Sequence, residues 1–150
     1  MITIRRILVP TDFSDCAALA VRYAAELADK FGAELVLLHV VPDTVLALPD
    51  AVMPTPAPMT DFQALADAGK IGLANLITAM KLEKYKPRAE VRLGSPEHEI
   101  VAAVKDLHVD LVCIATHGRG GIARVLLGSV AEMVVRHASC PVLTVRPGAC

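Results

Sequence analysis

The chain has no tryptophan, and aromatic residues make up only 3% of its 150 positions. Its core must therefore be assembled from Ala, Val, Leu and Ile, which suits helices lying close against a sheet. Neither sign of charge dominates: the formal net charge is −1 and no block of Lys and Arg occurs. A nucleic-acid binder needs a concentrated basic face to neutralise phosphates, so no nucleic-acid partner is expected. No run of 18 uncharged apolar residues is present, so no membrane span is expected either. The opening apolar run is broken by Arg5 and Arg6 and lacks a small-residue cleavage site, which argues against a signal peptide. Cys16, Cys113, Cys140 and Cys150 lack CxxC or CxxxC spacing, and His98, His108 and His137 lack the spacing of metal ligands. Without a secretory signal, the four cysteines read as free thiols in a reducing cytoplasm, with Cys113 buried and Cys150 the readiest to oxidise.

What is present is a regular alternation over a length that fits one domain, residues 1–150. Residues 3–9 read as a strand. Ser14 then caps a helix whose apolar stripe runs Ala17, Ala20, Ala24, Leu27, Ala28, Phe31, and Gly32 stops it. Residues 34–41 form a nearly continuous apolar run, as expected of a strand covered on both faces. Five of the ten prolines fall in residues 42–59, which predicts a flexible loop. A second helix follows with Phe62, Leu65, Ala66, Leu73, Leu76, Ile77 and Met80 on one face, weakened by Gly69 and Gly72. Residues 88–94 alternate as a strand, Ser95-Pro96 opens a helix, and residues 110–115 are another buried strand. The last helix turns Val130, Ala131, Val134, Val135 and Ala138 inward before the strand at 141–145. Strand–helix alternation of this kind implies a parallel, doubly wound α/β sheet, with ligands bound beyond the carboxyl ends of its strands.

Residues 115–129 admit three readings. Gly118–Ala123 formally matches the dinucleotide fingerprint, but that motif belongs after the first strand and needs an acidic residue about 20 positions on. No Gly-Lys-Ser/Thr occurs, so a Walker A loop is excluded. A surface turn is the second reading, with Ser129 as N-cap and Ser129 to Glu132 as a capping box. The third is an anion cradle. The amides that open a helix lack intrahelical partners and carry partial positive charge, and glycines at 118 and 128 let the backbone approach a ligand.

The stretches ILVPTDFS (7–14), LLHVV (37–41) and ATHGRGGIARVLLGSVAEMVVRHASCPVLTVR (115–146) resemble the universal stress protein family over essentially the whole chain. The resemblance implies a five-stranded parallel sheet in the order 3-2-1-4-5, with helices on both faces. Its ATP-binding members carry the motif G-x2-G-x9-G-[ST]. Here Ala115 replaces the first glycine, Gly118 is the second, 119–127 is the spacer, and Gly128-Ser129 close it. By the same resemblance Pro10, Thr11 and Asp12 border the ligand, with Asp12 beside the nucleoside and Val40 meeting adenine through its backbone. Ile114, Ala115 and Val130 line the pocket, Gly118, Gly128 and Ser129 supply the motif's backbone, and His117 and Arg119 are counted among the nucleotide-binding residues.

The resemblance thus implies a regulatory ATP-binding protein, with Mg or Mn held through the phosphates and at most slow hydrolysis. It also implies a homodimer formed by the C-terminal strands. The alternatives are an interaction module of the same family that binds no nucleotide, which Ala115 favours, and a nucleotide-dependent transferase, for which fold analogy alone speaks. No carboxylate is placed by sequence to orient His117 as a catalyst, and His39 reads as a satisfied polar core residue. Arg119 and Arg124 read as screens for phosphate charge or as solvated loop residues.

Overall fold

The computed structural model describes residues 1–43, 62–117 and 127–146. The chain runs β1 (Arg6–Pro10), α1 (Asp15–Phe31), β2 (Glu34–Pro42), α2 (Phe62–Ala79), a short 3-10 turn (Glu83–Tyr85), β3 (Arg88–Gly94), α3 (Pro96–Asp106), β4 (Leu111–Ala115), α4 (Ser129–His137) and β5 (Val142–Val145). All paired strands are parallel, in the order β3-β2-β1-β4-β5. The expected proline-rich loop lies, from residue 44 onward, outside the described residues.

The sheet separates two cores, and residue alternation along the strands assigns side chains to each. Ile7, Val9, Leu35, Leu37, Leu111 and Cys113 pack with α1 and α2, while Leu8, Val36, Leu38, Val112 and Ile114 pack with α3 and α4. Alanines let α1 lie close on the sheet: Ala17, Ala20, Ala24, Ala25 and Ala28 are all buried. Ser14 accepts from the amide of Ala17 at 3.2 Å, and Gly32 closes the helix in the left-handed region at φ 63°.

Four local expectations are corrected. Phe31 and Phe62 are 51% and 48% exposed, Phe31 as the last residue of α1 and Phe62 as the first of α2. Val135 is 46% exposed, since Ala131 and Val134 occupy the buried line of α4. The N-cap of α4 is Gly128 and Ser129 is its first helical residue, so the capping box does not form; Glu132 pairs with Arg136 at 2.8 Å instead. Cys16 is disulfide-bonded, whereas Cys113 and Cys140 are free thiols.

The glycines of α2 have a packing reason that composition concealed. A Cβ at Gly69 would lie 3.2 Å from the His39 ring, and one at Gly72 would lie 2.7 Å from the Phe13 ring. Three residues apart, the two glycines share a face of the helix. Their lost helix propensity is offset by the seating of α2 on two aromatic rings.

Candidate functional site

Strand order reverses between β1 and β4, and the hydrogen-bond pattern opens the sheet there. β1 pairs with β4 only at Ile7–Leu111 and Leu8–Val112. Beyond that, β1 stays with β2 as far as Pro10, and the Thr11 amide still donates to the Leu38 carbonyl at 2.8 Å. β4 stays with β5 as far as Ala115, and the Thr116 amide donates to the Val145 carbonyl at 2.9 Å. Each central strand keeps its outer neighbour and releases the inner one. The result is a crevice at the carboxyl ends of β1 and β4, where ligands of doubly wound sheets bind.

One wall is the loop that follows β1. Thr11 is buried, and its Oγ1 accepts from the Phe13 amide at 3.1 Å. Asp12 Oδ1 accepts from the Ser14 amide at 3.0 Å, an Asx turn that leads directly into the cap of α1. Phe13 between them sits at φ 64°, a left-handed conformation that costs a bulky side chain about 1–3 kcal/mol and persists only where its surroundings enforce it. Two contacts enforce it here. The His39 Nδ1–H donates to the Thr11 carbonyl at 2.9 Å, and the Phe13 and His39 rings lie 4.4 Å apart between centroids. A carbonyl only accepts, so the proton is on Nδ1.

The other wall comes from the end of β4 and the start of α4. The Gly128 amide donates to the Thr116 carbonyl at 2.7 Å, tying the helix start to the strand end. A Cβ on Gly128 would lie 2.9 Å from that same oxygen, although the backbone there, at φ −69° and ψ 157°, suits any residue. The glycine is thus required by space. Gly128 at the N-cap has no side chain to offer, so among the described residues the opening amides of α4 have no side-chain cap. Thr116 is buried, and its Oγ1 lies 2.9 Å from His117 Nδ1.

The residues singled out from sequence distribute as follows. Pro10, Thr11 and Asp12 form the first wall; Ala115, His117, Gly128, Ser129 and Val130 form the second. Val40 and Ile114 are 8% and 5% exposed and belong to the core on the α3–α4 side, so only their backbones or edges can reach a ligand. Ala115 packs against the opposite core, the one beneath α1, and its methyl points away from the start of α4. Gly118 and Arg119 lie outside the described residues. Cys113, two residues before Ala115, is no nucleophile: burial pushes its thiol up to about 12. Sequence reading missed Phe13 and Thr116, since neither lies on a periodic stripe and Thr116 falls at an unspecified position of the glycine motif. Their signals, a positive φ and a buried hydroxyl, exist only in three dimensions.

Comparison with known proteins gives a consistent result. The model of the universal stress protein family matches residues 3–146. Universal stress protein MJ0531 of Methanocaldococcus jannaschii is 32% identical over 95% of this chain and 82% of its own. Universal stress protein YxiE of Bacillus subtilis is 33% identical over 94% of this chain and 98% of its own. Among solved structures, the hypothetical protein MJ0577 superposes with a TM-score of 0.80 at 26% identity, covering 99% of both chains.

Proposed function

Since the chain belongs to the universal stress protein family, we propose that it binds ATP in the crevice between β1 and β4 and acts as a nucleotide-dependent regulatory protein of the cytoplasm. The single observation that carries this reading is the parting of the two central strands at the end of the sheet where α4 begins with glycine as its N-cap. Amides at Gly128, Ser129 and Val130 present partial positive charge to the phosphates, and Gly118 and Arg119 belong to the same stretch of sequence. Asp12 accepts from ribose hydroxyls or the adenine amino group, and the backbone at Val40 meets the base. A divalent cation bound to the phosphates would neutralise their charge. Two structural relatives are described as complexes with cAMP and with dAMP, at 22% identity each. Their likeness is one of fold, and they make an adenine nucleotide the first ligand to try.

Ala115 was the feature favouring a module without nucleotide. Its methyl packs against the core on the α1 side of the sheet, the face opposite α4, which favours room for phosphates at the helix start. Isothermal titration of the purified protein with ATP, combined with mass spectrometry of nucleotide released on denaturation, tests the reading. Heat of binding or released nucleotide is expected; the absence of both overturns it.

The two sheet edges differ in a way that supports a homodimer. β3 carries Arg88, Glu90 and Arg92, with ion pairs Arg88–Glu90 and Arg92–Asp106, and charge of this kind blunts an edge against pairing. β5, Val142–Val145, carries no charge at all. Antiparallel pairing of two β5 strands across a two-fold axis would cover it. Leu143→Pro is expected to shift the protein to monomer in gel filtration; an unchanged dimer would refute edge pairing.

A further inference from the structure

The strongest unassigned feature is the group of side chains beneath the β1–α1 loop, and it bears on the nucleotide reading above. His39 lies late in β2, on the α1–α2 side of the sheet, half-buried. Its Nδ1–H donates to the Thr11 carbonyl at 2.9 Å, one residue before Asp12. Its other ring edge abuts Gly69, where a Cβ would come within 3.2 Å of Cδ2. The Phe13 ring, one residue after Asp12, lies 4.4 Å from the imidazole and fills the space left by Gly72. Asp12 is thus flanked on both sides by residues locked to a single imidazole. The lock runs through a donor at one defined atom, and a merely space-filling core residue has no need of one.

We propose that His39 is a positioning residue for nucleotide binding: its Nδ1–H bond to Thr11 and its stacking on Phe13 fix the turn that presents Asp12 to the nucleoside. A carboxylate that accepts two ribose hydroxyls must be held within a few tenths of an ångström, and such constraint is supplied by residues behind the contact. A loop with Phe13 at positive φ would relax toward ordinary dihedrals once the tether was gone. Asp12 would then swing away from the crevice while the rest of the fold stood. The glycines of α2 belong to the same device, since any side chain at residue 72 would expel the Phe13 ring.

The test uses the geometry of the donor. Asn carries its Nδ2–H2 where histidine carries Nδ1, whereas Gln carries its amide nitrogen at the Nε2 position. ATP titrations of the full chain compare wild type, His39→Asn, His39→Gln and Gly72→Ala. His39→Asn is expected to bind within about twofold of wild type. His39→Gln and Gly72→Ala are expected to bind about tenfold more weakly, a change equivalent to about 1.4 kcal/mol. Equal affinities for the Asn and Gln variants, or a tighter Gln variant, would overturn the positioning role, because a space-filling role favours the larger Gln and only the donor's position favours Asn. Nitrogen NMR of the wild-type imidazole supplies a ligand-free readout. A proton on Nδ1 is expected, and one found only on Nε2 would overturn the proposal even if a variant failed to fold. The outcomes also separate the two levels of the argument. Absence of ATP binding by wild type defeats the nucleotide reading itself, whereas wild-type binding with an unaffected Gln variant defeats only the role of His39.

Discussion

Gly128→Ala isolates the close approach on which the crevice depends. At φ −69° and ψ 157° alanine is unstrained, so through the unfolded chain alone the change would stabilise by about 0.4–1 kcal/mol. The new methyl, however, lands 2.9 Å from the Thr116 carbonyl oxygen. That oxygen accepts from the Gly128 amide at 2.7 Å, and the amide of the same Thr116 is held by Val145 at 2.9 Å, so neither partner recedes without stretching a hydrogen bond. Overpacking of this sort costs about 1–3 kcal/mol. The net expectation is a loss of about 1–2 kcal/mol, or a Tm lowered by roughly 2–8 °C for a chain of this size. Urea and thermal unfolding read it directly. Gly32 is the control, because its Cβ would meet nothing within 4 Å and only its φ of 63° demands glycine. Asn tolerates that region, so Gly32→Asn should be milder than Gly32→Ala, whereas Gly128→Asn should be no milder than Gly128→Ala. A Gly128→Ala protein as stable as wild type would refute the spatial argument for this glycine.

The two layers of burial predict a contrast in urea unfolding: Leu37→Ala, at a fully buried site, should cost about 2–5 kcal/mol. Phe31→Ala, at a half-exposed site, should stay within about 0.5 kcal/mol. Cys113 should resist thiol reagents in the native protein at pH 8 and react only on unfolding, because burial raises its pKa from 9.0 to about 12. The unfolded chain releases that proton near 9 and the folded chain only near 12, so this thiol leaves stability intact below pH 9 and erodes it as pH climbs between those values. Urea midpoints of wild type and Cys113→Ala across that range check the sign, the variant being expected to show the shallower decline.

Much of the architecture could be read from local pattern. Period-2 and continuous apolar runs located all five strands, and the β-α alternation with the family resemblance gave their order. Boundaries marked by capping chemistry were legible too: Ser14 caps α1, Gly32 ends it, and Pro96 stands in the first turn of α3. Periodicity failed at Phe31, Phe62 and Val135 because a helical stripe states which residues share a face, and burial also requires neighbours packed over each position. The capping box at Ser129 failed for a related reason. The link from Gly128 to Thr116 set the helix start one residue away from the position that local chemistry preferred.

Composition and periodicity by themselves determined the class of fold, the two apolar cores, and which loops gather at the carboxyl edge, because these follow from interactions between near neighbours in the chain. Only the folded chain decided where β1 leaves β4, why residue 128 lacks a side chain, and how His39 reaches Thr11. Each of those depends on atoms brought together from segments 12 to 28 positions apart or farther along a ladder, and separations of that kind leave no periodic trace in a sequence.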